Sequence, residues 1–428
     1  MRVVRLAVGL AVFASGAACS DSSSPSHQSR PLKFIDIVAN YRPRSYSPTA
    51  TCGLAADSTV YCWGSNRSNR LGRQTTGTTC PDVDPGDVIA CALQPARVPN
   101  APKMRALAAG TDYFCGLATD GAPFCWGASQ TSDGSGIEFG VAPLALPGGY
   151  HLTQLGAGIG TICGVTTTGT GVCWGDYQGG MRGDPTADPD TAQVTLAPNT
   201  IANLTFTGIY PRQYSTCGLT TAGAAYCWGG DYLGGLGNTG APTQGHCGGG
   251  WNPCALTPVP VAGGLTFTSL AAGRFHFCGA TAAHDILCWG GDAGGALNIL
   301  EDRLGPCAEP GEPLRLCAPE PVGIPRVVAW DAVEAGDNTT CGSGAGITLC
   351  WGNNDYGQTG NGGGPAMLNL AVMGGHEFRR VAPGTDHTCG IAVDSLAWCW
   401  GENSAGQLGD GTGVDSNIPV AVLGPAEP

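Results

Sequence analysis

The sequence predicts an all-β protein assembled from seven copies of one unit. Its 428 residues include 70 Gly and 31 Pro, a content that interrupts helices and suits short strands joined by turns. Hydrophobic residues make up 42% and charged residues 12%. The charged share is about half that of an ordinary globular domain, so a large core is available and disorder is not expected. The string Cys-Gly, turn, Cys-Trp-Gly recurs seven times along the chain. A net charge of -13 argues against a nucleic-acid partner, because such proteins carry a basic footprint.

Met1 to Cys19 reads MRVVRLAVGLAVFASGAAC. Arg2 and Arg5 form a short basic start, and Leu6 to Ala14 is apolar but too short to span a bilayer. Small residues follow at Gly16, Ala17 and Ala18, so residues 1–18 are expected to be a signal peptide. The small residues running into Cys19 resemble a bacterial lipobox. That resemblance implies that Cys19 is lipidated and begins the mature chain. Residues 19–32 are Ser-rich and suit a flexible tether. The alternative is ordinary signal cleavage with Cys19 discarded. On either reading the chain is exported and its cysteines can be oxidised.

Each copy of the repeat reads as a hairpin. The cysteines fall as Cys52 with Cys62, Cys115 with Cys125, Cys163 with Cys173, Cys217 with Cys227, Cys278 with Cys288, Cys341 with Cys350 and Cys389 with Cys399. Turn residues such as Thr119-Asp120-Gly121 lie between them. Two strands folded about that turn put the cysteines directly opposite each other, at a separation that a disulfide spans. The sixth copy is one residue shorter, and Ala345-Gly346 can serve as a two-residue turn. The same register sets Gly53 opposite Tyr61, Gly116 opposite Phe124, Gly218 opposite Tyr226 and Gly390 opposite Trp398. A bulky side chain is then expected to cover each strand glycine.

The seven pairs leave Cys19 and six others: Cys80, Cys91, Cys247, Cys254, Cys307 and Cys317. Each of the six falls as a local pair within the longest repeats, as an insert expected to be closed by its own disulfide. No CxxC knuckle and no Cys/His cluster has zinc-ligand spacing, so no metal is expected at these cysteines.

The fullest copy of the unit is the last. It runs Val381-Ala-Pro-Gly384, His387-Thr-Cys-Gly390, Cys399-Trp-Gly401, Asn403 and Gly406-Gln-Leu-Gly409. The sixth copy keeps Asn354 and Gly357-Gln358, and the first keeps Asn66 and Leu71-Gly72. This pattern resembles the regulator of chromosome condensation repeat family, over about residues 33–424. The resemblance implies a seven-bladed β-propeller of four-stranded blades; the hairpin pairs then give one cross-strand disulfide per blade, and residues 425–428 are left as a tail. Stacking blades around a ring buries faces that no single blade can bury alone. The tryptophan after each second cysteine is expected to fill the space between neighbouring blades. The resemblance also implies that the ring closes by pairing strands from the two chain ends, Phe34–Ile37 with Ile418–Val422.

In an antiparallel meander of strands A to D, the A–B and C–D connections share one face of the disc. All three disulfide-closed inserts are C–D connections. Two unusual A–B loops lie on the same face and supply Tyr41, Arg42, Arg44 and Tyr46 from the first copy, and Tyr210, Arg212 and Tyr214 from the fourth. Trp251 lies inside the insert between Cys247 and Cys254. Tyr, Trp and Arg are enriched at interface hot spots, so these residues are the candidate binding set. Local packing of the loops is the competing reading.

No Ser-His-Asp arrangement, metal-binding helix motif or phosphate loop is present, so no catalytic residue and no cofactor are expected. His387 and His276 share one repeat position and read as structural. Asp82, Asp84 and Asp87, with Asp184, Asp188 and Asp190, could offer oxygen ligands to calcium, but sit with Pro in what read as turns. The functional expectation is an exported, lipid-anchored, non-catalytic scaffold at the bacterial cell envelope. It would be monomeric, held to the membrane only by its anchor, and bind an unknown protein or envelope ligand. A secreted enzyme inhibitor, similar to the β-lactamase-inhibiting propeller of the family, and an enzyme acting on envelope polymers are the alternatives.

Overall fold

Seven antiparallel sheets follow one another along the chain, one per repeat, and stand around a central axis as the blades of a β-propeller. The computed structural model describes residues 31–425, apart from 42–47, 76, 83–85, 131–135, 177, 187–193, 242–252, 308–314 and 364–369. Among the described residues no helix is long and apolar enough to cross a membrane.

Blade 1 is formed by Phe34–Ala39, Ala50–Ala55, Val60–Ser65 and Val88–Arg97, paired in that order. Blades 2, 3, 4 and 7 repeat the meander, with inner strands Met104–Ala109, Leu152–Ala157, Phe206–Pro211 and Phe378–Pro383. Blades 5 and 6 begin at Ser269–Ala272 and Ala332–Ala335. Blade 6 has three strands among the described residues; a single bridge from Leu349 to Ala371 stands where its fourth strand would run.

The hairpin register matches the sequence, and in every blade the two cysteines are directly opposed and bonded. Cys52 is bonded to Cys62 in blade 1, Cys115 to Cys125 in blade 2 and Cys163 to Cys173 in blade 3. Cys217 is bonded to Cys227 in blade 4 and Cys278 to Cys288 in blade 5. Cys341 is bonded to Cys350 in blade 6, and Cys389 to Cys399 in blade 7. In blade 6 Ala345 (φ 51°) and Gly346 (φ 76°) form the two-residue turn, both in the left-handed conformation that such hairpins require. This turn keeps Cys341 opposite Cys350 although the copy is one residue shorter.

Two of the three inserts are closed as expected, by Cys80 with Cys91 and by Cys307 with Cys317. Each adds a short fifth strand, Thr79–Pro81 in blade 1 and Gly305–Cys307 in blade 5. In the third, Cys254 is disulfide-bonded, while Cys247 lies outside the described residues.

Two expectations are corrected. The strand glycines do face the predicted cross-strand residues, such as Gly53 with Tyr61. The side chain that fills the glycine's space, however, comes from the blade's own inner strand or just before it. Phe34 lies against Gly53, Phe206 against Gly218, Phe267 against Gly279 and Phe378 against Gly390. A Cβ on Gly53 would stand 2.5 Å from the Phe34 ring, so glycine is needed there. The ring, moreover, does not close by pairing the chain-end strands. Phe34–Ala39 pairs with Ala50–Ala55, and Ser416–Ala421 pairs with Ala397–Gly401, so each end completes its own blade. Blades 1 and 7 meet face to face instead. Ile37, Trp63, Ile391, Leu408 and Val422 share one core cluster across that seam.

The tryptophans occupy the places expected of them. All seven are buried between blades. Trp63 donates its indole N–H to the Gln407 carbonyl of blade 7 at 2.9 Å, and Trp400 to Gln358 of blade 6 at 2.8 Å. Trp228 and Trp351 reach Met181 and Ala296 of their preceding blades in the same way. The loop motif explains itself here. Asn403 accepts the Leu408 N–H at 3.0 Å and so shapes the turn. Gly409 then takes a left-handed φ of 69°, and a Cβ there would stand 2.7 Å from the Trp63 indole nitrogen.

Candidate interaction face and central channel

The A–B and C–D connections gather on one face of the disc. At the seam of blades 4 and 5 this face carries three packed aromatic rings. Tyr214 and Tyr232 have centroids 4.8 Å apart, Tyr232 and Phe275 5.4 Å, and Tyr214 and Phe275 6.0 Å. Tyr214 is 40% exposed, and the other two are half-buried. Gln213 donates to the Tyr214 hydroxyl at 2.9 Å, and Arg274 donates to Gln213 at 2.6 Å. The Arg274 guanidinium lies 4.7 Å from the centre of the Phe275 ring, a cation–π contact that adds to the cluster.

Two members of this cluster escaped the sequence reading. Phe275 directly precedes the second strand of blade 5, as Tyr214 precedes that of blade 4. Aligning the repeats at that position shows an aromatic residue only in these two copies. Tyr232 opens the loop after the third strand of blade 4, a position that composition alone does not single out.

The rest of the candidate set divides. Arg42, Arg44, Tyr46 and Trp251 lie outside the described residues, as do Cys19, Asp84, Asp188 and Asp190. Tyr41, Tyr210 and Arg212 are corrected from an exposed loop surface to the axis of the propeller. Tyr41 is 2% exposed, its hydroxyl reaches the Ala157 carbonyl at 3.4 Å, and Arg212 stacks 4.6 Å from its ring centre. Arg212 also donates to the Ala335 carbonyl of blade 6 at 3.1 Å. Burial pushes the Tyr41 phenol up to about 12. The physical reason is that the loop residue nearest the inner strand has the axis beside it, and a large ring there is drawn out of water.

Below this pair the inner strands enclose a channel of about 600 Å³. Asp36, Glu334 and Arg380 meet on its wall. Arg380 donates to Asp36 at 3.2 Å and to Glu334 at 2.7 Å. Burial raises Glu334, an effect that Arg380 opposes. Tyr210 faces the same lumen, and burial with the nearby Glu334 pushes it up to about 12.

The histidines at the shared repeat position are structural, as their spacing suggested. His276 bonds Thr340 of blade 6 at 2.8 Å, and His387 bonds Thr49 and Thr51 of blade 1 at 2.9 and 2.8 Å. Among the described residues no three His, Cys, Asp or Glu side chains are grouped as metal ligands. Asp82 pairs with Arg67 at 3.4 Å, and Asp184 accepts from Thr186 within its own turn.

The sequence profile of the Regulator of chromosome condensation (RCC1) repeat matches residues 394–427, within and just beyond blade 7. That stretch holds the Asn403 turn and the Gly409–Trp63 packing that recur in variant form around the ring. Blade 7 thus matches an RCC1 repeat by sequence. No curated protein matches the chain's sequence. Among solved structures, this propeller resembles Prp20p of Saccharomyces cerevisiae at a TM-score of 0.63 and 17% identity, over 91% of this chain and 87% of that one. It resembles human WBSCR16 at 0.66 and 17%, over 86% and 96%. It also resembles the ectodomain of the Physcomitrella patens receptor kinase CR4 at 0.52 and 20%, over 86% and 73%. At these identities the likeness shows the fold.

Proposed function

We propose that this propeller is an exported, lipid-anchored binding scaffold of the bacterial cell envelope. In this reading it holds a protein partner on the face built from the A–B and C–D connections. The observation that carries the reading is the ring cluster of Tyr214, Tyr232 and Phe275, with Tyr214 left 40% exposed at its centre. Rigid aromatic rings flanked by a guanidinium are the usual anchors of an interface. The disulfides support an oxidising compartment, and the Cys19 motif supports an anchor. Prp20p of yeast binds Gsp1p and histones, which supports partner binding as a use of this fold.

The test has two arms. A pull-down from the host's envelope proteins should recover a partner with the wild-type chain. Tyr214→Ala should weaken capture at least tenfold while leaving the circular dichroism spectrum unchanged, the size of loss typical of a hot-spot ring. An activity screen on envelope polymers, run beside it, should find none. Unchanged capture by the variant would remove Tyr214 from the interface, and turnover in the screen would favour an enzyme. Cys19→Ala should release the protein from the membrane fraction; retention there would contradict the anchor.

A further inference from the structure

The central channel forms a second site, entered from the side opposite the aromatic cluster. Tyr41 and the Arg212 stacked on it cross the axis at the A–B end, and Tyr41 is 2% exposed. Toward the other end, the Arg380 and Glu334 side chains keep 37% and 35% of their surface exposed, so solvent reaches the lumen from there. The channel is lined by the inner strands of all seven blades and holds about 600 Å³.

Its charges are unevenly placed. Asp36, Glu334 and Arg380 come from blades 1, 6 and 7, where one cation faces two carboxylates, while the second arginine of the lining, Arg212, is stacked on Tyr41. Arg380 is engaged by both, which leaves little for an anion. Glu334 binds Arg380 through Oε1. Neither its Oε2 nor the Tyr210 hydroxyl takes part in a hydrogen bond among the described residues. Both border the lumen. The wall beside them is small and apolar, with Val38, Ala106, Ala108, Gly156 and Ala382. A cation leaving water needs a counter-charge and acceptors, and its carbon chain gains from an apolar wall.

We propose that the channel binds a primary ammonium group carried on an aliphatic chain, with Glu334 and Tyr210 as its acceptors. A free alkyl amine and the lysine side chain of a partner segment present the same chemistry. Calorimetric titration of the full oxidised chain with 1,5-diaminopentane, and with the capped peptide acetyl-Gly-Lys-Gly-amide, distinguishes these sources. Pentan-1-ol is the uncharged control. At least one ammonium probe should bind, and the alcohol should not. Glu334→Gln should lower the affinity about tenfold or more, since it removes the counter-charge. Tyr210→Phe, which deletes a single hydroxyl and leaves the packing in place, should lower it severalfold. Should Glu334→Gln fail to fold, Tyr210→Phe decides. Heat from neither probe, equal binding of the alcohol, or wild-type affinity in the folded variants would overturn the proposal.

Discussion

At the residue scale, small sequence differences have definite structural causes. Thr51, Thr216, Thr340 and Thr388 each donate to the same carbonyl as the tryptophan opposite them in their own blade. Blades 2 and 5 carry Phe114 and Phe277 at that position, and these stack on Trp126 and Trp289 with interplanar angles of 27° and 19°. The seam is therefore polar in some blades and aromatic in others. His276 gives a pH prediction. Burial holds its imidazole down to about 3, so the unfolded chain takes up a proton near its ordinary value while the folded chain does not. Stability from this group is present above pH 6.5 and falls as pH drops toward 3, by roughly 3 kcal/mol at pH 4. Urea unfolding of wild type and His276→Gln between pH 7 and 4 should show a steeper acid loss in the wild type. Parallel curves would contradict it. Gly409 gives another. Its φ of 69° and contact with the Trp63 indole make Gly409→Ala destabilising by about 2 kcal/mol or more, read as a lowered denaturation midpoint.

At the element scale, the blade hairpin was the most legible feature of the sequence. The cysteine spacing, the Gly-aromatic register and the blade-6 turn could all be read because they depend on residues within about ten positions of one another. Loss of one hairpin disulfide, as in Cys163→Ser with Cys173→Ser, should cost about 3 kcal/mol for so short a loop. Denaturant unfolding measures it, and no loss would mean that packing alone holds the hairpin. The glycine partners were less legible. A bulge between Phe34 and Asp36, repeated between Phe206 and Gly208 and between Phe378 and Arg380, turns the first inner-strand residue under the sheet. No sequence alternation announces that turn.

At the scale of the whole molecule, the seven-blade count was legible and the ring closure was not. Whether chain ends pair or pack depends on whether each end repeat already holds its own strands, and here both do. Arg379 donates to the Phe34 and Ile35 carbonyls across the closing seam. Asp36 stands far from Glu334 and Arg380 along the chain, so only the ring brings the three together. Tyr41 and Arg212 were found as candidates for the right chemistry in the wrong place: their side chains turn to the axis rather than to the outer face. The exposed cluster instead rests on Tyr214 with Tyr232 and Phe275, at a seam between two blades. The claim that this face is the working one is tested most directly by a photo-crosslinking residue placed at Tyr214 and, separately, at Val393. Val393 is 60% exposed in a B–C turn on the opposite side. In the intact envelope, the account predicts a discrete protein adduct from position 214 and none from 393. Adducts from 393 alone, or none from 214, would contradict it.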